Sequence, residues 1–362
     1  MHIVPLPAIT DPDSPSEPNG FERIVDRVTL PLLVDPRDVV FTRNAAGIAA
    51  TVLPGAALVY LLPPLASFLV GFLYVPFVMV RWAGPFVLMV HAVTHRPLFR
   101  KRYRLADKFI TFVLAPFFGI PPTAYHPHHV VMHHKENNGA DDLSATLGYQ
   151  RDRFLDFAHY WARFVFFGHL HLASWLVRRG RWSSLGRFVV GELAYLGGVV
   201  ALLAVDPMAT VVVFVIPFAL LRFFMMAGNW SQHAFVDVQD PTNAYTNSSS
   251  LLNTIYNVRC YNDGYHVVHH RKPGLHWAEM PAAFLADLPA YAAHDSIVFH
   301  GVVNNQQVWW ALMRGDYGFL ADCLVDLGDR KRTREEKIAF LQSRVRPLGE
   351  TRRGFLEFRE AS

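Results

Sequence analysis

Between residues 45 and 90 the chain carries a single charged residue, Arg81. A helix that crosses the hydrocarbon core of a bilayer needs about 20 apolar residues. Residues 45–64 and 65–90 each supply one such stretch. Their join, Leu61-Leu62-Pro63-Pro64, leaves room only for a tight reversal, so the pair reads as a helical hairpin that enters and leaves on one side. A second hairpin is expected from residues 188–205 and 208–227, joined by Asp206-Pro207. Neither turn holds a Lys or Arg. The opposite ends are flanked by basic clusters, Arg96 to Lys108 and Arg178 to Arg187. The positive-inside rule assigns those ends, and with them both termini, to the cytoplasm. The polar sequence after Trp230 is then expected to be a cytosolic cap. Residues 109–120 are too short to span and read as buried or re-entrant. Residues 154–177, rich in Phe and Trp but carrying His159, Arg163, His169 and His171, read as an interfacial helix, with a third hairpin as the rival.

Composition agrees. Hydrophobic residues make up 52% of the 362 and charged ones only 18%, against about 25% charged in soluble domains. The formal charge of +4 sits on the flanks of the apolar runs and forms no basic and aromatic patch, so nucleic acid is not an expected partner. The N-terminal stretch lacks a basic region followed by an apolar core and is not expected to be a secretory signal. The two cysteines, Cys260 and Cys323, form no CxxC pair, which excludes a rubredoxin-like or zinc-ribbon module, and both read as buried small side chains.

Eighteen histidines are present, and many are grouped. His91 and His95 end the second apolar stretch. His129, His133 and His134 follow the short apolar run. Asn229-Trp-Ser-Gln-His233 ends the fourth stretch, and His266, His269 and His270 lie in the polar part. Topology alone puts all four groups on the cytoplasmic side. On a helix, positions i, i+3 and i+4 share a face, so each group is able to aim imidazoles at one place, with His134 turned towards a second one. Nine imidazoles exceed what one zinc takes and suit two metals, of iron, copper, zinc or nickel type. Nearby carboxylates, Glu136, Asp141, Asp142, Asp237, Asp240 and Asp263, are candidates to hold an imidazole N–H, with Asp141, Asp237 and Asp263 as the leading ones. His126 and His128 stand beside the second group without an assigned role. His2, His159, His169, His171, His276, His294 and His300 stand outside any group and read as structural.

The series HxxxH, HxxxHH, NxxxH, HxxHH resembles the membrane fatty acid desaturase superfamily over roughly residues 45 to 280. The resemblance implies a desaturase-like catalytic domain at 45–280, between a cytosolic arm at 1–44 and a cytosolic cap and tail at 281–362. It implies an all-α integral membrane fold of two transmembrane hairpins, with a helical cap holding a di-metal site. It also implies two non-haem irons, held by His91, His95, His129, His133, His134, Asn229, His233, His266, His269 and His270, with O2 as co-substrate. The expected activity is desaturation of a fatty acyl or other lipid chain. Hydroxylation or oxidative decarboxylation on the same site is the alternative, because the HxxxHH spacing is that of the alkane hydroxylase branch. A membrane metal-binding protein is the non-enzymatic alternative. No haem motif, ferredoxin cysteines or dinucleotide fingerprint is present, so an external donor of ferredoxin, rubredoxin or cytochrome type, with its reductase, is expected.

Overall fold

The structure is a computed structural model that describes residues 6–139 and 141–348. Its elements are mostly helical. The chain divides into two compact units, one of Ser14–Val130 with Trp175–Arg222, the other of Met1–Asp13, Val131–Ser174 and Phe223–Ser362.

Four helices are long and apolar enough to cross a membrane: Pro36–Leu61, Pro64–His95, Trp182–Val205 and Pro207–Gln232. These are the two expected hairpins with longer ends. Residues 154–178 are helical but are not among the helices long and apolar enough to span, which favours the interfacial reading over the third hairpin. The first span begins at Pro36 and not near residue 45 because its charge is neutralised locally. Arg43 donates two hydrogen bonds to Asp26, at 2.8 and 2.6 Å, and Asp26 belongs to the helix Gly20–Thr29, which opens on an Asn19/Glu22 capping box. The first hairpin is packed by small residues on one face. A Cβ on Gly47 would come within 2.6 Å of the Trp82 ring, and one on Gly55 within 2.9 Å of Tyr74. Between them Thr51 accepts the Trp82 indole N–H at 3.0 Å. Two wide π-type turns lie near prolines of the spans, Val78–Ala83 just after Pro76 and Val211–Val215 just before Pro217, whereas Pro54 sits inside regular α-helix. Large apolar side chains such as Phe68, Phe72, Leu193 and Val200 face outwards, as lipid-facing residues do.

The other unit contains a feature absent from the all-helical expectation. Strands β1 (Ser249–Leu252) and β2 (Ile297–His300) pair in parallel, and both are largely buried. They sit between two apolar clusters. One gathers Phe235, Phe299, Leu320 and Leu341, the other Leu252, Tyr265, Phe284 and Val298. The tail is part of the first cluster up to Val345, because Ile338, Leu341 and Val345 recur at helical spacing. Arg151 fixes it in place. This fully buried guanidinium donates to the carbonyls of Thr146, Leu147, Tyr149, Ala234, Arg344 and Arg346, and burial lowers its pKa to about 9. Leu6 and Ile9 of the N-terminal arm pack against the second cluster. Asp11 accepts from the backbone N–H groups of Asn253 and Thr254 and from the Tyr265 hydroxyl, next to His266. His2 lies outside the described residues.

Candidate metal centre

Each unit holds its own set of converging imidazoles. In the unit that contains the first three spans, His91 and His95 stand one helical turn apart at the end of the second span. His129 comes from the widened helical stretch Pro127–His133. The Nε2 atoms of His95 and His129 are 3.1 Å apart, the His91 and His129 rings are 4.4 Å apart, and one ligand nitrogen from each of the three lies within 4.8 Å of the others.

In the other unit, His133, His233 and His270 offer nitrogens within 4.8 Å of one another. His266 joins them, its Nε2 lying 3.1 Å from that of His233 and 3.1 Å from that of His270. His134 and His269 approach each other to 2.9 Å. The HxxHH group is therefore split, against the expectation that its three imidazoles aim at one place. His266 and His270, one turn apart, go together, and His269 turns away to His134. The consecutive residues His133 and His134 diverge in the same way, as adjacent positions on a helix do.

These contacts fit metal ligation better than hydrogen bonding. The His233 Nδ1 lies 2.8 Å from the Asn247 carbonyl, which only accepts, so Nδ1 carries the proton and Nε2 presents a lone pair. The His133 Nδ1 lies 2.7 Å from the Asp142 carboxylate, with the same consequence. Two imidazole nitrogens on one ion, each about 2.1 Å away and roughly at right angles, stand about 3 Å apart, which is the spacing seen here. Burial, reinforced by the other imidazoles, lowers the pKa of His233 to about 4 and that of His270 well below its ordinary value. Both rings are then neutral at pH 7, as ligands must be.

Asp142 is a carboxylate that serves a histidine. It is fully buried and accepts from His133 Nδ1, the backbone N–H groups of Asn138 and Ser144, and the Ser144 hydroxyl. Burial opposes its ionisation, but the His133 ring and the Ser144 donors outweigh that and hold the carboxyl well below the usual carboxylate range. The turn Asn137-Asn138-Gly139 delivers it, with Asn137 and Asn138 at φ 46° and 58°, a conformation that Asn tolerates. Two leading candidates have partners of their own. Asp237 pairs with Arg344 at 2.9 Å, and Asp263 accepts from Gln232 and Tyr256. Asp141 is half-buried beside Asp142. An Asp-x-Ser step following Asn-Asn-Gly was the signal in the sequence that would have singled out Asp142.

Asn229 points its amide nitrogen at the Ser144 carbonyl, 3.0 Å, and the Tyr160 hydroxyl, 2.7 Å, so its Oδ1 is the atom turned elsewhere. Tyr160 was missed in the sequence; it is buried and also donates to Ser144 O at 3.1 Å. Among the ungrouped histidines, His276 caps a helical turn by accepting from Ala278 N, His294 stacks on Tyr245 and His159 meets the Tyr149 hydroxyl. His126 lines a cavity in the span-containing unit; burial, and then the charge of Arg187, lowers its pKa.

No curated protein and no solved structure matches the chain. The family model described as fatty acid desaturase matches residues 63–301, about two thirds of the chain, a range that runs from the first turn to the end of β2 and takes in every grouped histidine. Four apolar helices, two of them ending in grouped histidines, thus have a family to which they answer: the chain belongs to the fatty acid desaturases.

Proposed function

We propose that the protein is an oxygen-dependent enzyme that desaturates a lipid hydrocarbon chain at a non-haem di-iron centre. The nine histidines of the four groups supply the ligands, with Asn229 Oδ1 beside one iron. The observation that carries this reading is the convergence of imidazole nitrogens, two of the rings fixed by Nδ1 contacts to acceptors, within a chain of this family. Bound iron would supply the oxygen-activating, oxidising chemistry that removes hydrogen from an unactivated C–H bond.

The chain's own residues do the positioning. Asp142 keeps the His133 proton on Nδ1, and the Asn247 carbonyl does the same for His233. Tyr160 and Ser144 hold the Asn229 amide in one orientation. Burial of His233, His266 and His269 keeps bulk water from their rings. Electrons come from an external ferredoxin, rubredoxin or cytochrome with its reductase. The histidines and both termini face the cytoplasm, as the placement of Lys and Arg implies.

The test is an iron-loaded preparation given oxygen, a reductase chain and a mixed lipid extract, with products read by mass. Loss of two hydrogens supports desaturation. Gain of one oxygen, or loss of the carboxyl carbon, supports the second reading, hydroxylation or oxidative decarboxylation, which the HxxxHH spacing favours. Active protein containing zinc and no iron overturns both, and metal binding without oxygen consumption returns the protein to the metal-binding class.

A further inference from the structure

The span-containing unit encloses a half-open cavity of about 230 Å³. Sites that hold a whole small molecule run from about 300 to 1,000 Å³, so this one takes an end of a longer ligand. Its walls include Val90 and Thr94, the chain neighbours of His91 and His95, and Tyr125, whose ring lies 5.3 Å from that of His129. The lining is chiefly apolar, and one edge is basic, made by His126 and Arg187.

Both members of that edge have unused capacity. Arg187 donates from Nε to Ser183 O at 3.3 Å, and its terminal nitrogens have no partner among the described residues. His126 Nδ1 is buried, also without a partner among them. The wall that carries them is locked in place. Thr123 donates to the Arg187 carbonyl at 2.5 Å, and Gly191 lies so close to the Pro122 carbonyl that a Cβ would stand 1.7 Å from it. The edge also sits at a defined depth. Counting about 20 residues of bilayer core back from Val205, the end of the third span, reaches the turn just before Arg187. Arg187 is therefore level with lipid headgroups, where carboxylates and phosphates reside.

We propose that this cavity binds the headgroup end of an anionic amphiphile, with Arg187 and His126 on its anionic oxygens and its first chain atoms passing Val90 and Thr94 towards His91, His95 and His129. This rests on the reading of those histidines as part of the reacting centre. It makes the substrate an acyl chain with a charged head, either a free carboxylate or a phospholipid phosphate, and not a bare alkane.

The test is binding, which needs no turnover. Full-length protein in detergent is titrated with radiolabelled dodecanoate and with dodecanol. Wild type is expected to bind the acid at least tenfold more tightly than the alcohol. Arg187→Gln is expected to abolish that preference and Arg187→Lys to keep part of it, with thermal unfolding confirming that both variants fold. Competition by phosphatidylglycerol but not by phosphatidylcholine identifies a phosphate head; competition by short-chain carboxylates alone identifies a free acid. Equal affinity of wild type for acid and alcohol, or an unchanged preference in Arg187→Gln, overturns the proposal. A preference for the acid in a protein that never oxidises lipid would leave this site standing and defeat only the proposed activity.

Discussion

At the scale of single residues, the contact of Asp142 with His133 is the one whose removal is easiest to read. Partners of this kind, which hold a ligand's far N–H, are worth about 10- to 100-fold in metal affinity. Asp142→Asn keeps the shape and one acceptor but loses the charge, so chelator competition should show metal affinity lowered towards that range, and unchanged affinity would remove Asp142 from the centre. Protonation gives a second expectation, for metal-free protein. The native pKa of His233, about 4, is below the ordinary 6.5, so the unfolded chain binds a proton that the native one refuses. Stability is complete above pH 6.5 and falls as pH drops from 6.5 to 4. The depressed Asp142 carboxyl adds a loss that begins only below its ordinary value of 3.8. Unfolding midpoints measured from pH 7.5 to 4.5 should therefore decline, and His233→Asn should flatten the decline. The histidines were legible because metal ligation imposes spacing on a sequence. Asp142 was not singled out among six carboxylates, because which of them reaches an imidazole depends on two left-handed Asn residues that spacing does not register.

At the scale of elements, the third span and the loop before Tyr125 are joined by contacts that tolerate no extra atoms. Besides Gly191, the loop is held by Gly119, at φ +68°, where a Cβ would stand 2.3 Å from the Phe218 backbone, and by Arg222, which donates to the Gly119 carbonyl at 2.5 Å. Gly191→Ala must push the Pro122 carbonyl aside, an overpacking that costs about 1–3 kcal/mol. Gly197, on the same helix with nothing within 4 Å, is the control, since alanine there should be neutral or should stabilise by up to about 1 kcal/mol. Thermal unfolding of the two variants in detergent checks the pair, and equal midpoints would show that the loop yields freely. The spans themselves were legible from hydropathy, but their starts were not. Arg43 and Arg187 made residues near them look like flanks, whereas one charge is neutralised by Asp26 and the other emerges at the headgroup level. The paired strands were invisible for a different reason: each is four residues long, buried, and stabilised by a partner nearly fifty residues away.

At the scale of the whole molecule, helix length against bilayer thickness decides where the histidines lie. The second span has 32 residues, about 48 Å at 1.5 Å per residue, while the hydrocarbon core is about 30 Å thick. With Pro64 near one edge, His91 stands roughly 40 Å along the helix, beyond the other edge, and His95 further still. The fourth span, 26 residues from Pro207, carries His233 out in the same way. The proposed chemistry on a lipid chain would then take place just outside the core, on the side opposite the two short turns. The placement of Lys and Arg predicts that this side is cytoplasmic, and labelling can test it because both native cysteines are buried and leave little background. Leu61→Cys, at a turn position 79% exposed, and Val303→Cys, 49% exposed, report the two faces. In sealed right-side-out vesicles a membrane-impermeant maleimide should label the first at once and the second only after permeabilisation. The reverse pattern would put the histidines outside the cell, and with them the requirement for a cytoplasmic electron donor would fall.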